Sequence, residues 1–289
     1  MITLIAGARP NFMKVAPIIR ALDHRQMPWR LVHTGQHYDA RMSETFFDEL
    51  EIPHPDVNLG VGAGSHIQQI SEVMRRLETE LCAHRPAAVV VVGDVNSTMA
   101  AAVAANKLQI PVAHVEAGLR SGDRTMPEEI NRIMTDAISD WLFTSEPAGE
   151  QNLLREGIDA QRVHPVGNVM IDTLRRHLEQ AQSRRNLAAY GLSANQYAVL
   201  TLHRPSNVDS PQRLKSILQA VRAVSHELPV IFPVHPRTNQ RLKEMDVSLD
   251  SPEWGDCQLI EPIGYLEMLG LVDTARLVMT DSGGLQEET

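Results

Sequence analysis

Four consecutive valines at positions 89–92 lead directly into Gly93 and Asp94. A short apolar run of this kind suits a strand that is buried on both faces, as in a parallel sheet covered by helices on either side. In an open parallel sheet, ligands bind outside the carboxyl ends of the strands, where Asp94 would lie. The valine run therefore predicts an α/β fold and directs attention to the residues that follow each strand.

Further apolar runs alternate with amphipathic stretches, which predicts alternating strands and helices. A polar, charged stretch over residues 175–185 interrupts this alternation, and we place a domain boundary near residues 168–190. We predict two Rossmann-like, doubly wound parallel-sheet domains, residues 1–175 and 176–289. The predicted strands are residues 2–6, 30–33, 88–92, 112–115, 141–143 and 163–167, then 198–202, 230–234, 259–260 and 277–280.

Charge and composition narrow the classes of function. The 289 residues carry 27 basic and 36 acidic side chains, and the net charge of −9 disfavours binding to nucleic acid or to an anionic membrane. Without a basic leader or a membrane-length apolar segment, the chain is expected to be cytoplasmic. The distant Cys82 and Cys257 suggest neither a disulfide framework nor a zinc motif. The 12 histidines form no compact ligand pattern, so we predict no metal.

The turn after the first predicted strand concentrates positive charge. Arg9 follows Gly7 and Ala8, and Lys14 comes five residues later, near the start of a helix. An arginine fork, a lysine and a helix N-terminus together suit a pyrophosphate. A surface turn with solvated charges explains this motif, taken alone, equally well. No Gly-x-Gly-x-x-Gly follows the strand, which disfavours a dinucleotide redox cofactor.

Acidic residues follow two neighbouring strands of the first half. Asp94 comes after the valine run, and Glu116 comes after the next predicted strand. Partial burial at a strand mouth can tune a carboxylate for proton transfer. The alternative for Asp94 is to cap the helix that begins near Asn96. Glu128 and Arg132 lie four residues apart on another helix, where a surface ion pair is the alternative.

Histidine and arginine follow two strands of the second half. His203 with Arg204, and His235 with the arginine at 237, each stand just beyond a predicted strand. Paired cations suit a leaving phosphate, and a histidine can supply its proton. A lone strand-end histidine is more often structural, but two His-Arg sites beside a Ser-Gly-Gly turn favour a functional role.

The last predicted strand runs into Ser282, Gly283 and Gly284 at the opening of a helix. Small residues let the backbone approach a ligand, Ser282 can cap the helix, and the first-turn N–H groups favour an anion. This segment is typical of a phosphate-binding turn.

Six motifs in order along the chain together resemble those of the non-hydrolysing UDP-N-acetylglucosamine 2-epimerases. Each motif is weak alone, whereas six at consistent spacing are specific. They are Gly-Ala-Arg-Pro at 7–10 with Lys14, Gly-Asp-Val-Asn-Ser-Thr at 93–98, His-Val-Glu-Ala-Gly-Leu-Arg at 114–120, Pro-Glu-Glu-Ile-Asn-Arg at 127–132, His-Arg-Pro-Ser-Asn-Val-Asp at 203–209 and Asp-Ser-Gly-Gly-Leu-Gln-Glu-Glu at 281–288.

The resemblance implies the glycosyltransferase B fold with the active site between two domains. It implies conversion of UDP-N-acetylglucosamine to UDP-N-acetylmannosamine by anti elimination of UDP and re-addition to 2-acetamidoglucal, without nicotinamide or metal cofactor. It also implies a homodimer. By motif match the catalytic positions are Asp94, Glu116, Glu128 and His203. The substrate-binding positions are Arg9, Lys14, Arg132, Ser282 and Glu288, and we add Arg204, His235, Gly283 and Gly284 from their places after strands.

The chain departs from the resembled family at three places. Many members have Glu where this chain has Asn11, and many have Glu where it has Ser206. The family also continues for several strand and helix units beyond the position of Thr289. We therefore expect a truncated member with an incomplete second domain and with impaired or lost activity.

Three other functions fit the same motifs. A hydrolysing 2-epimerase would release UDP and free N-acetylmannosamine, because water can intercept the same intermediate. A UDP-sugar glycosyltransferase would transfer the sugar without exchanging its hydrogen with solvent. An inactive fragment would bind the nucleotide sugar without converting it.

Overall fold

The fold is built on two parallel sheets. The computed structural model describes residues 1–7, 9–35, 47, 49–247 and 251–289. The side chains of Arg9, Pro252, Glu287 and Glu288 are not among the described parts. The chain divides into two compact units, Met1–Thr173 and Leu174–Thr289, and each unit contains one sheet. Neighbouring strands within both sheets are parallel. The predicted α/β class with two Rossmann-like parallel sheets is confirmed.

The first unit holds a seven-stranded sheet. Its strands are β1 (Ile2–Ala6), β2 (Trp29–His33), β3 (Val57–Asn58), β4 (Ala88–Val92), β5 (Val112–Val115), β6 (Trp141–Thr144) and β7 (Val163–Pro165). They are arranged in the order β3-β2-β1-β4-β5-β6-β7. The order reverses between β1 and β4, and the crevice at the carboxyl ends of such a strand pair is the usual ligand position in an open parallel sheet.

The helices of the first unit begin where local sequence signals predict. They are α1 (Arg9–His24), α2 (His66–Ala83), α3 (Asn96–Lys107), α4 (Pro127–Ile138), α5 (Pro147–Arg155) and α6 (Val169–Arg184), the last containing the division between the units. Ser65 and Gln68 form a capping box at α2, and prolines open α4 and α5. The alanine-rich α3 is buried along most of its length and packs against α2 and α4.

The second unit holds a four-stranded sheet covered on both faces. Its strands are β8 (Ala198–Thr201), β9 (Val230–Pro233), β10 (Cys257–Ile260) and β11 (Leu277–Thr280), in the order β10-β9-β8-β11. Its helices are α7 (Pro205–Val208), α8 (Pro211–Ser225), α9 (Pro236–Glu244), α10 (Tyr265–Asp273) and α11 (Gly283–Glu288). Leu200 packs with Leu214 and Phe232 on one face, whereas Val199 packs with Leu271 on the other. The order reverses between β8 and β11, so their carboxyl ends are the corresponding ligand position.

The predicted strands all occur, with bounds within two residues of those expected. The two-residue β3 was not predicted, because it is too short to carry an apolar period and is defined by its pairing with β2. Over the residues described, no helix is both long and apolar enough to cross a membrane. The expectation that the two units share one active site stays a prediction.

Candidate active site

Asn11 joins the ends of β1 and β4, where the order of the first sheet reverses. Its side-chain oxygen accepts a hydrogen bond from Gly7 N–H at 3.0 Å, and its Nδ2 donates to the carbonyl oxygen of Val92 at 3.1 Å. The side chain is buried in the first turn of α1. Asn11, one of the departures from the resembled family, therefore holds two strand ends together.

Lys14 and Glu116 form an ion pair beside Gly93. Lys14 Nζ contacts Glu116 Oε2, and the two side chains are only 12% and 13% exposed. Glu116 directly follows β5 and has a φ of 71°, a left-handed conformation that costs a non-glycine residue about 1–3 kcal/mol. Strained backbone of this kind clusters at functional sites, which favours a functional role for Glu116.

Asp94 is fixed by two adjacent residues of α4. Arg132 Nη2 lies 2.5 Å from Asp94 Oδ2, and Asn131 Nδ2 donates to the backbone oxygen of Asp94 at 2.9 Å. The N-cap residue of α3 is Val95, so the alternative in which Asp94 caps this helix is wrong. Its carboxylate instead faces a cation at the end of β4.

Glu129 holds Arg132 from the other side. Arg132 Nη1 lies 2.8 Å from Glu129 Oε2, and this carboxylate also accepts hydrogen bonds from Ser121 and Gly122 N–H, each at 2.9 Å. Burial opposes the charge on Glu129, but the two N–H groups and Arg132 outweigh it and lower its pKa to about 2. Within the described residues, Arg132 therefore pairs with Asp94 and Glu129 and not with Glu128.

Glu128 lies half-buried in the first turn of α4. Its side chain makes no hydrogen bond or ion pair with another residue in the part of the chain that the structure describes. The structure therefore joins Glu128 neither to Asp94 nor to Glu116, and its catalytic role stays a prediction.

His114 is a buried cation in β5, two residues before Glu116. Its Nδ1 lies 2.6 Å from Asp136 Oδ1, and its Nε2 lies 2.8 Å from the carbonyl oxygen of Gly93. Burial disfavours the charged ring, but Asp136 outweighs it and raises the pKa of His114. Burial likewise opposes the charge on Asp136, but His114 and Arg120 outweigh it and lower the pKa of Asp136. Since both partners of the ring accept hydrogen bonds, the ring is an imidazolium.

Asp281 receives hydrogen bonds from the segment after β8. His203 Nδ1 lies 2.8 Å from Asp281 Oδ1, and Arg204 N–H donates to Asp281 Oδ2 at 2.9 Å. Asn207 Nδ2 donates to the same Oδ2 at 3.2 Å, and His203 N–H also donates to the carboxylate. Burial opposes the charge on Asp281, but these N–H donors outweigh it and hold its pKa below its usual range.

His235 lies near His203, with 6.4 Å between the ring centroids. It caps α9 by accepting a hydrogen bond from Arg237 N–H through Nδ1 at 3.2 Å, so its Nε2 carries the proton. Burial lowers the pKa of His235, and the nearby His203 and Arg237 lower it further. The structural role considered for a strand-end histidine is thus present at His235, and its Nε2–H is a neutral donor.

Ser282 caps α11 by accepting a hydrogen bond from Leu285 N–H at 3.3 Å, as predicted. Gly283 and Gly284 lie in the first turn of this helix and not in a turn before it. A Cβ on Gly283 would lie 3.6 Å from Arg204 Nη2, so the Arg204 guanidinium reaches the start of α11.

Each unit therefore gathers part of the predicted site at the reversal of its sheet. The first unit brings together Lys14, Asp94, Glu116 and Arg132. The second brings together His203, Arg204, His235, Ser282 and Gly283. Arg9 and Glu288 were predicted to bind the substrate, and their side chains lie outside the described part of the structure. The roles assigned to all these residues stay predictions.

Sequence analysis assigned no role to several residues that organise the site: Asn131, Glu129, His114, Asp136 and Asp281. Two of them carried a signal. His114 is a polar residue within an apolar strand, and Asp281 is the first polar residue after the last strand. Over the described residues, no group of three or more His, Cys, Asp and Glu side chains is arranged to hold a metal ion.

Comparison with known proteins gives concordant matches. A family model described as UDP-N-acetylglucosamine 2-epimerase matches residues 20–289. The UDP-N-acetylglucosamine 2-epimerase of Methanocaldococcus jannaschii is 44% identical over 99% of this chain and 80% of its own length. Its crystal structure in complex with UDP-GlcNAc and UDP superposes with a TM-score of 0.89 over the same shares. A UDP-2,3-diacetamido-2,3-dideoxy-D-glucuronate 2-epimerase of Pseudomonas aeruginosa is 42% identical over 99% of this chain and 79% of its own length.

Proposed function

The chain belongs to the UDP-N-acetylglucosamine 2-epimerase family, and we propose that it interconverts UDP-N-acetylglucosamine and UDP-N-acetylmannosamine. It is an epimerase with the glycosyltransferase B fold, and the resemblance inferred from the six motifs is confirmed. The observation that carries the proposed reaction is the pairing of two strand-end carboxylates with cations in the first unit. These pairs are Glu116 with Lys14 and Asp94 with Arg132.

Inversion at C2 of the sugar requires a C–H bond to break and to form again on the opposite face. We infer that the C1–O bond breaks first or concurrently, its electron pair passing to the phosphate oxygen of UDP, while a carboxylate removes the C2 proton. The product pair is UDP and 2-acetamidoglucal. In the return step a second carboxyl group, which starts the cycle protonated, gives its proton to C2 from the other face, and the phosphate oxygen adds to C1. The first group keeps the proton that it removed, so the two carboxyl groups exchange protonation states and the reverse reaction restores them.

Two carboxylates at separate strand ends meet this requirement. Asp94 and Glu116 follow the neighbouring strands β4 and β5, whose pairing continues where Gly93 N–H donates to Val115 O at 3.0 Å. We assign the proton transfers to Asp94 and Glu116, with Glu128 as a third candidate. Cationic partners hold the first two in place and offset their charge, which favours binding of an anionic substrate.

The second unit supplies groups that suit the pyrophosphate. The Arg204 guanidinium makes no ion pair with the residues described, and it reaches Gly283 at the start of α11. The Nε2–H of His235 and the cation of Arg204 are donors for phosphate oxygens. His203 is assigned to protonate the departing phosphate. Arg9 and Lys14 complete the proposed nucleotide contacts, and Glu288 is assigned to the ribose hydroxyls.

The decisive experiment incubates the chain with UDP-N-acetylglucosamine in deuterated water and follows the C2 position by NMR. The proposal predicts deuterium at C2 of intact UDP-sugar, together with the manno product, and this result would refute the loss of activity expected from the sequence. Asp94→Asn and Glu116→Gln should each slow incorporation by about 10²–10⁴-fold, because a proton-transfer group is lost. Glu78→Gln, at an exposed position on α2, is the matched control and should leave the rate unchanged.

The same reaction mixture separates the competing functions. Free N-acetylmannosamine would identify a hydrolysing enzyme, and transfer to an acceptor without deuterium would identify a glycosyltransferase. Binding by the folded chain without deuterium incorporation would contradict epimerisation. UDP-2,3-diacetamido-2,3-dideoxy-D-glucuronate is the second substrate to test, because the Pseudomonas relative named for it is nearly as similar as the Methanocaldococcus one.

Cytoplasmic location and a homodimer are parts of this proposal that rest on the sequence and the family resemblance. Cell fractionation tests the location, and sedimentation equilibrium tests the dimer. A monomer at micromolar concentration would contradict the second point.

A further inference from the structure

Asp281 is the most heavily hydrogen-bonded carboxylate at the reversal of the second sheet. It follows β11, and its donors come from His203, Arg204 and Asn207, which follow the neighbouring strand β8. Its side chain is 7% exposed, whereas that of His203 is 45% exposed. The Asp281 carboxylate is therefore buried behind His203, and the His203 imidazole is the group that is accessible to solvent or ligand.

The bonds to Asp281 determine which ring nitrogen of His203 is available. Backbone N–H groups and the Asn207 amide occupy the carboxylate in its ionised form, which can only accept hydrogen bonds. The Nδ1 of His203 at 2.8 Å must therefore carry a proton. In the neutral ring Nε2 is then an unprotonated base, and in the charged ring Nε2–H is a donor.

We propose that Asp281 is a positioning residue for His203, which it orients and holds as the Nδ1–H form so that Nε2 exchanges a proton with the leaving phosphate. This inference rests on the proposed epimerase function. In a catalytic triad, one residue reacts, a second transfers its proton, and a third orients the second. Asp281 has the position of this orienting residue relative to His203. Asp281 itself touches no reacting atom.

The proton balance of the reaction depends on this arrangement. When the C1–O bond breaks, the electron pair goes to the phosphate oxygen, and the proton on Nε2 of the His203 imidazolium passes to that oxygen. The ring is left neutral with its proton on Nδ1. When the phosphate adds back to C1, Nε2 retakes the proton, so His203 returns to its starting state without external acid.

An asparagine at 281 would separate this role from a purely structural one. Its side-chain oxygen can still accept from the N–H groups of His203 and Arg204, so the turn can persist. Its amide nitrogen is a donor, however, and would favour a His203 ring with an unprotonated Nδ1 and a proton on Nε2. In that tautomer Nε2 already carries a proton, so it cannot accept another one from the phosphate.

The test compares wild type, Asp281→Asn and a control, Asp209→Asn. Asp209 is a nearby carboxylate whose partners are Arg237 and Arg241, so the control removes an exposed ion pair by the same substitution. Long-range ¹H–¹⁵N spectra, assigned with His203→Gln, report the tautomer of His203. Steady-state rates with UDP-N-acetylglucosamine report kcat and KM.

At a pH at which the His203 ring is neutral, wild type and the control should show the Nδ1–H tautomer, and Asp281→Asn should show the Nε2–H tautomer. The kcat of Asp281→Asn should fall about 10²-fold with a smaller change in KM, since general acid catalysis is impaired and the other phosphate contacts remain. An Nε2–H tautomer in wild type, or an Asp281→Asn enzyme with unchanged tautomer and kcat, would overturn the role of Asp281.

The spectra and the rates also separate the two proposals. If wild type shows the Nδ1–H form but incorporates no deuterium into UDP-sugar, the epimerase function is wrong, and with it the assigned phosphate step. If wild type epimerises and Asp281→Asn is equally fast, only the role of Asp281 is wrong.

Discussion

Lys14 lies close to Gly93: a Cβ on Gly93 would stand 3.0 Å from Lys14 Nζ, so the end of the lysine would have to move by a few tenths of an ångström. The same Cβ would lie 3.9 Å from Glu116 Oε2. Gly93 also has a φ of 66°, a left-handed backbone conformation that favours glycine at this strand end.

Gly93→Ala is therefore expected to displace Lys14 from Glu116 and to lower epimerase turnover by about 10²-fold, since small misplacements of catalytic groups are costly. Gly167→Ala is the matched control, because Gly167 has a φ of 83° and no atom within 4 Å of the added Cβ. Both variants should lose about 1–2 kcal/mol of stability to backbone strain. Equal turnover in the two variants would show that the space around Lys14 is unimportant.

His114→Gln should destabilise the first unit in a pH-dependent way. The pKa of His114 is raised above 6.5 in the folded state, so its charge contributes stability that is fully present below pH 6.5 and is lost as pH rises through the folded value. Urea unfolding should show a loss of about 3 kcal/mol at pH 6 and a smaller loss at pH 9 or above.

The control for this prediction is His164→Gln. The His164 ring lies against Phe143 at 5.6 Å and not against a carboxylate, so its removal should cost packing alone. A loss in His114→Gln that is the same at both pH values would mean that the ring contributes by packing and not by charge.

Glu129→Gln should remove stability that appears only when the carboxylate is ionised. The pKa of Glu129 falls from 4.5 to about 2 on folding, so this contribution is full above pH 4.5 and is lost as pH falls toward 2. At pH 7 the variant should be about 2 kcal/mol less stable than wild type, since hydrogen bonds to a charged group are lost. The difference should have narrowed by pH 3, whereas exposed Glu78→Gln should match wild type throughout.

Arg204→Ala should weaken the binding of UDP. Loss of a charge-assisted hydrogen bond to phosphate corresponds to about 1.5–3 kcal/mol, or roughly 10–100-fold in Kd by calorimetry. Arg222→Ala, at an exposed position in the last turn of α8, removes the same charge and should leave Kd within about twofold. Similar weakening by both variants would indicate a general charge effect and not a contact at Arg204.

Local sequence patterns predicted much of this architecture. The valine run predicted β4 because burial on both faces leaves an uninterrupted apolar segment. The Ser282 cap was predicted because a cap depends on residues within one turn of it. β3 was missed because Val57 and Asn58 form a strand only through their pairing with β2.

The partners within the site were beyond prediction for a different reason. Asp136 lies 22 residues from His114, and Asp281 lies 78 residues from His203, so nothing local indicates that either pair meets. The left-handed backbone of Glu116 was also unexpected, because glutamate disfavours that conformation in isolation. Residue type and position after a strand thus identified candidates, whereas the fold determined their partners.

The burial of α3 has a consequence for how this protein can diverge. Ala100, Ala101, Ala102, Ala104 and Ala105 are all buried, so the helix has almost no face on which a larger residue could be accepted. Saturation mutagenesis should find this segment nearly as intolerant as the reacting groups themselves, although none of these methyl groups would meet the sugar. From substitution patterns alone, the buried alanines of α3 would then be taken for catalytic residues, although their role is to let neighbouring elements pack closely.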